Sequence, residues 1–306
     1  MILAKGNLPG RTEQLYAIKA LRKPSIGSSY ICEIMAEKAA LMLTSGHPFI
    51  TTLYSSFENE NHIYFVMDYM SGGDLKGQLD EVKAFSEKRT KFYAAEITLA
   101  VQFLHQHGIL HRDLKLRNVL VGSDGHCKIA DFGLSKLGMF RHCKARTQCG
   151  TPYYMAPEIV KNLPYGQGVD WWAVGVMIFE MMTGHKPFYC DEEEDTDDDL
   201  DQKILNDELN FPEDMSPAAI SIVKKLLKKN PKKRLGSNGS DDTVRQHPFF
   251  KGIDWQALQE KRVKPPGKVA KKRQEDSQSF SKVLKVDNKP CITQTYSRDF
   301  RSYMME

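Results

Sequence analysis

The sequence predicts an α+β fold in two lobes, a small β-rich one followed by a larger helical one. Three observations carry this reading. Short apolar runs separated by turn residues fill the first 69 positions. Ser71-Gly72-Gly73 punctuates the chain directly afterwards. From Ser86 onward, apolar residues recur at helical rather than alternating spacing. At 306 residues the chain is long enough to bury a sizeable core.

In order, Ile2-Leu3-Ala4 and residues 16–21 read as two strands of a hairpin, joined by a connection containing Gly, Pro and Asn. Residues 31–43, dense in Ala, Met, Glu and Lys, read as a helix ended by Gly46 and Pro48. Residues 50–57 and 63–69 read as two further strands. Ser86 is a good N-cap with Glu87 favourable behind it, and Tyr93, Ile97, Ala100 and Leu104 recur at helical spacing until Gly108. Residues 169–183 and 217–229 read as further helices. The tail from Lys251 contains Pro, is basic and poorly periodic, and is expected to wrap a surface rather than build a core.

Composition excludes several classes. The chain is 41% hydrophobic and 27% charged, with a net charge of +4, too small to imply nucleic-acid binding. Its six cysteines form no C-x-x-C pair and no zinc-finger spacing, and a charge and a glycine interrupt the apolar start at once. A reduced, cytoplasmic setting is expected, with peripheral membrane recruitment left open. The most apolar stretch, residues 171–183, is too short to span a bilayer and reads as a buried helix. The run of acids at 191–201 reads as a solvated loop leading into a helix, and the lysine-rich runs at 224–234 and 261–273 as exposed faces.

The informative motif is His111-Arg112-Asp113-Leu114-Lys115-Leu116-Arg117-Asn118. Phosphoryl transfer needs little covalent chemistry; it needs a nucleotide, metal and hydroxyl held among fixed charges. Asp113 suits a base for the acceptor hydroxyl, Lys115 a cation for the transferring phosphate, and Asn118 a magnesium ligand. Asp131-Phe132-Gly133 supplies a second metal carboxylate. Lys19, in Ala17-Ile18-Lys19, suits an α/β-phosphate contact on a strand, with Glu37 on the next helix as its partner. Ala156-Pro157-Glu158 closes the segment that Asp131 opens. Each piece alone is weak; their order and settings together are specific. Lys115 favours serine/threonine over tyrosine acceptors.

With these residues in view, the chain resembles the AGC group of serine/threonine protein kinases, and most closely the catalytic half of novel-type protein kinase C. The matching text includes Phe65-Val66-Met67-Asp68-Tyr69-Met70-Ser71-Gly72-Gly73-Asp74-Leu75, Gly150-Thr151-Pro152, Val169-Asp170-Trp171-Trp172, Arg234-Leu235-Gly236 and His247-Pro248-Phe249-Phe250. The resemblance implies the bilobal protein kinase fold, ATP and Mg2+ as cofactors, and protein substrates with Ser or Thr acceptors. It implies a gatekeeper at Met67, an adenine-binding hinge at Asp68, Tyr69 and Met70, and a ribose contact at Asp74. Ala17 would be the adenine ceiling and Leu120 its floor. Thr147 would carry an activating phosphate set by an upstream kinase, with Arg112 receiving it. Thr151 would touch Asp113 and Lys115, Glu180 would contact substrate, and Glu158 would pair with Arg234. Three divisions follow: a truncated small lobe at 1–69 ending at the hinge, a large lobe at 70–250 and a tail at 251–306.

The chain also departs from that family. Its first strand aligns with the one after the family's glycine-rich loop, so neither that loop nor the strand before it is expected. This leaves open an incomplete gene model, a fragment of a longer kinase, or an impaired kinase fold acting as a binding protein or scaffold. No lipid-binding or diacylglycerol-binding module is recognisable. Thr293 is similar to the turn-motif phosphosite. Phe300-Arg301-Ser302-Tyr303 is similar to the hydrophobic motif, but Met304 takes the usual phosphorylatable place. Tyr153 and Arg117 stand where many relatives carry acids. A cation at Arg117 would repel a basic substrate residue. We therefore expect a weakened preference for basic peptides; a peptide array with an unchanged arginine requirement would contradict this.

Overall fold

The computed structural model describes residues 1–6, 14–23, 30–189, 196–237 and 242–267. Strands β1 (Ile2–Gly6), β2 (Gln14–Arg22), β3 (Leu53–Glu58) and β4 (His62–Asp68) form an antiparallel sheet in the order β1-β2-β4-β3. The pairing of Ala17 with Met67 and of Lys19 with Phe65 puts these four side chains on one face. Ala4, Tyr16, Ile18 and Val66 gather on the other as a small separate core. A one-residue slip would exchange the two sets, so burial on both faces holds the register.

Helix α1 (Tyr30–Leu43) carries the buried Glu37 and ends before Gly46, which adopts a φ of +92°. The strand expected from residue 50 begins instead at Leu53. Ile50 is used differently: it bridges Ile129, with Thr51 donating to the Ile129 carbonyl at 2.9 Å and Ile129 donating to that of Phe49 at 2.9 Å. Backbone that would have lengthened the sheet thus ties the small lobe to the large one.

Helices dominate beyond Asp74: α2 (Leu75–Val82) and α3 (Glu87–Gln106) precede a two-stranded hairpin of β5 (Val119–Val121) and β6 (Cys127–Ile129). Sequence periodicity gave no sign of this hairpin, because its strands are three residues long. Ser86 caps α3 as expected, its hydroxyl accepting from the Arg89 N–H at 3.3 Å. The short α4 (Pro157–Val160) leads to α5 (Gly168–Thr183), the expected buried helix, with Trp171 and Trp172 fully enclosed. Around it lie α3 and α7 (Pro217–Leu226), while α6 (Asp197–Asn206) packs against α4. The close approach requires Gly175, where a Cβ would stand 2.8 Å from Leu226. Among the described residues no helix is long and apolar enough to cross a membrane.

Three expectations need adjustment. Helix α7 stops at Leu226, three residues early, since Pro231 opens a 3-10 turn capped by Asn230. The acidic run does lead into a helix, and its last acids form the first turn of α6, where Thr196 and Asp199 make a reciprocal cap. The tail is not purely a surface wrap: after the short α8 (Asp242–Arg245), helix α9 (Trp255–Gln259) buries Leu258 completely and stacks Trp255 edge-on against Phe250.

One ion pair locks the large lobe. Arg234, 1% exposed, meets Glu158 through two parallel bonds of 2.5 and 2.8 Å, and also donates to the carbonyls of Gly168 and Lys228. Removing one member leaves the other buried without a partner. Arg234→Met is expected to cost about 3–5 kcal/mol, and the double change Glu158→Leu/Arg234→Met markedly less. Urea denaturation midpoints of the three chains check this.

Candidate active site

The loop at 111–118 is shaped by one buried carboxylate. Asp170, in the first turn of α5, accepts from the backbone N–H groups of His111 and Arg112 at 3.0 Å each, and from His105 Nε2 at 2.8 Å. Burial would raise its pKa, but His105 and these donors outweigh it and hold Asp170 below the usual carboxylate range. So clamped, Arg112 adopts a left-handed φ of +70°, a conformation that costs a non-glycine residue about 1–3 kcal/mol. Asp131 does the same at +62°.

Beyond that clamp Asp113, Lys115 and Thr151 form a closed triangle. Lys115 Nζ lies 2.7 Å from Asp113 Oδ2 and 2.7 Å from the Thr151 hydroxyl, which donates to Asp113 Oδ1 at 2.7 Å. Asn118 Nδ2 donates to the Asp113 carbonyl at 2.9 Å and to Oδ2 at 3.1 Å. Its amide is therefore oriented, and its carbonyl oxygen is left for another partner.

Lys19 reaches across the cleft from β2. Its ammonium sits 2.6 Å from Glu37 Oε1 on α1 and 2.9 Å from Asp131 Oδ1 in the large lobe. Burial pulls the lysine pKa down, yet the two carboxylates outweigh it and hold it above the ordinary value; Asp131 is correspondingly held low. A Cβ at Gly133 would meet Asp131, Glu37 and Lys19 only at ordinary contact distances of 3.5–3.9 Å. Phe132 is fully buried and packs its ring 4.9 Å from that of His111, fixing where Asp131 stands.

Ala17 and Met67 are both buried on the cleft-facing side of the sheet, and Leu120 faces the hinge through a bridge with Asp74. Asp68 is otherwise engaged: its carboxylate accepts from Thr52 N–H, the Tyr54 hydroxyl and Lys128 Nζ at 2.6–2.7 Å. Only its backbone is left for the cleft. Tyr69 and Met70 are half-buried between strand and α2. Asp74 caps α2 through Oδ1, accepting from Gly77 N–H at 2.9 Å. Among the described residues no cluster of three His, Cys, Asp or Glu forms a metal cage. Asp131, 52% exposed, and Asn118 offer oxygens instead, a donor set that suits a hard cation completed by phosphate oxygens.

Of the remaining expected residues, Thr147 is exposed, and its carbonyl accepts from the Tyr165 hydroxyl at 2.6 Å. That hydroxyl is 3.5 Å from Arg112 Nη1, so one tyrosine links Thr147 to the cation expected to serve it. Glu180 does not stand open to the cleft: it is 1% exposed and accepts from the Tyr154 hydroxyl. Thr293 lies outside the described residues. Sequence reasoning assigned no role to Asp170, although an acid inside a strongly apolar helix is a signal. Tyr154 and Tyr165 offered no sequence signal, because their partners are distant in the chain.

A family profile for the protein kinase domain matches residues 8–250. The chain is 43% identical over 303 residues to protein kinase C epsilon type of Oryctolagus cuniculus, covering 95% of this chain and 40% of that protein. It is 45% identical to protein kinase C of Drosophila melanogaster over 92% of this chain and 38% of that one. Serine/threonine-protein kinase N2 of Danio rerio is 42% identical over 88% of this chain and 27% of its own length. The chain thus spans about two fifths or less of the relatives it matches. Residues 8–250 and the two-lobed architecture around Asp113 assign it: the chain belongs to the protein kinase domain family.

Proposed function

We propose that this chain is a protein kinase C-like serine/threonine kinase that transfers the γ-phosphoryl group of ATP to Ser or Thr hydroxyls of protein substrates. The observation that carries the reading is the closed triangle of Asp113, Lys115 and Thr151, with Lys19 held between Glu37 and Asp131. The family uses ATP and a divalent metal in general. Here Asp131 and Asn118 would hold Mg2+, while Ala17, Met67, Leu120 and the backbone at 68–70 would receive the adenine, with Asp74 near the ribose. When bound, nucleotide and metal supply the phosphoryl group and neutralise its charge.

The residues do the rest. Asp113 accepts the proton of the acceptor hydroxyl, and Thr151 orients its carboxylate. Lys115 presents a cation to developing negative charge, preorganised by two bonds and so needing little rearrangement. Lys19 positions the nucleotide phosphates, with Glu37 holding the lysine in reach. A phosphate placed on Thr147 by an upstream kinase would draw Arg112 and order the segment between Asp131 and Glu158. In this reading residues 1–69, 70–250 and 251–306 act as nucleotide-facing lobe, substrate-facing lobe and tail, in a cytoplasmic setting.

Two measurements test this reading. Asp113→Asn is expected to lower phosphate transfer to a generic protein substrate by about 10²–10⁴-fold; equal signals from both chains remove the catalytic reading. Addition of ATP and Mg2+ is expected to raise thermal stability, by about 2.7 kcal/mol at one hundred times Kd. The Mg2+-dependent part should vanish in Asp131→Asn, and a shift that persists there would place the metal elsewhere.

A further inference from the structure

The flank of the phosphoacceptor site carries an exposed cation without a partner among the described residues. Arg117 lies in the 3-10 turn Leu116–Asn118, between two residues that both bond Asp113. It is exposed, and among the described residues it forms no ion pair or hydrogen bond. Its charge is felt by Tyr154, the residue that seals Glu180. Lys186 holds its ammonium 3.9 Å from the Tyr153 ring centroid, its field reaches Glu180, and it lines a pocket with the exposed Asp207 and Glu208.

Three described carboxylates around Arg117 are committed. Glu180 is buried under the Tyr154 hydroxyl, and burial raises its pKa, which favours the uncharged form. Asp80 pairs with Lys76 on α2, the helix packed against the turn. Asp113 is filled by Lys115, Thr151 and Asn118. A cationic side chain arriving at Arg117 therefore meets an exposed guanidinium, and none of these three acids is free to offset it. An acidic one meets an unpaired guanidinium whose planar donors match a carboxylate.

We propose that Arg117, with the Tyr154–Glu180 seal, makes the acceptor flank a subsite for an acidic side chain of the substrate peptide. The inference rests on the phosphoryl-transfer reading for its purpose, but its binding consequence is independent of turnover. An exposed pair gained is worth about 2- to 5-fold in affinity, and an avoided repulsion a similar factor. Screening shrinks both as salt shortens the Debye length from about 10 Å at 0.1 M to about 3 Å at 1 M.

The test uses fluorescein-labelled serine peptides bearing Glu, Ala or Arg at each position around the serine. Anisotropy reads their binding to the full chain at 0.05 and 0.5 M NaCl. At one or more positions the Glu peptide is expected to bind about 5-fold or more tighter than the Arg peptide at low salt, with the gap narrowing at high salt. Arg117→Ala should abolish the gap, and Arg117→Glu should reverse it. Tyr154→Phe, which unseals Glu180, should strengthen binding of the Arg peptide. Equal or tighter Arg binding by the unaltered chain overturns the proposal, as does a Glu preference that survives Arg117→Glu. A Glu preference in a chain with no Asp113-dependent transfer fails only the catalytic reading. Efficient transfer with an Arg preference fails only this one.

Discussion

The carboxylate of Asp170 accepts three hydrogen bonds in the middle of the large lobe, two from the backbone of His111 and Arg112 and one from His105. It stands at the start of α5, the buried helix on which α3 and α7 pack, so the loop inherits the rigidity of the core. Asp113, Lys115 and Asn118 follow within six residues of that clamp. A site on a loop tolerates little positional error, and loops gain precision only when their backbone is tied to something that cannot move. A buried acid with three donors is such an anchor, and the left-handed Arg112 is the local strain it sustains.

The second half of the site depends on alignment between lobes. Lys19 comes from the sheet, Glu37 from α1 and Asp131 from the large lobe, yet one ammonium lies within 3 Å of both carboxylates. The register of β2 against β4 aims Lys19 into the cleft, and the Ile129 bridge to Phe49 and Thr51 holds the lobes at the necessary separation. The segment between Asp131 and Glu158 is then anchored at both ends. Phe132 is buried beside His111 at one, and Arg234 grips Glu158 at the other. Midway, Ala145 and Tyr165 exchange backbone bonds, which brings Thr147 near Arg112.

Much of this was legible in the chain before any coordinates. The long helices α3 and α5 follow from periodicity and from a run too apolar for the surface. The residues around Asp113 follow from spacing, since phosphoryl transfer restricts which side chains serve. The β5–β6 hairpin was illegible because three-residue strands have no period to detect. The early end of α7 and the buried Leu258 were missed because both depend on what packs nearby. Glu180 was expected to contact substrate; only the fold revealed the tyrosine hydroxyl above it.

By itself the sequence determined the two-lobed class, the order of the main elements and the identity of the residues around Asp113, because local periodicity and motif spacing are properties of contiguous chain. Tertiary structure decided which charges are free. Arg117 and Glu180 read as opposite charges of equal standing along the chain. Folding buries one beneath Tyr154, 26 residues away, and leaves the other exposed and without a partner among the described residues. Burial and pairing are set by contacts between distant segments, and those two quantities decide whether a charge can act on what arrives at the site.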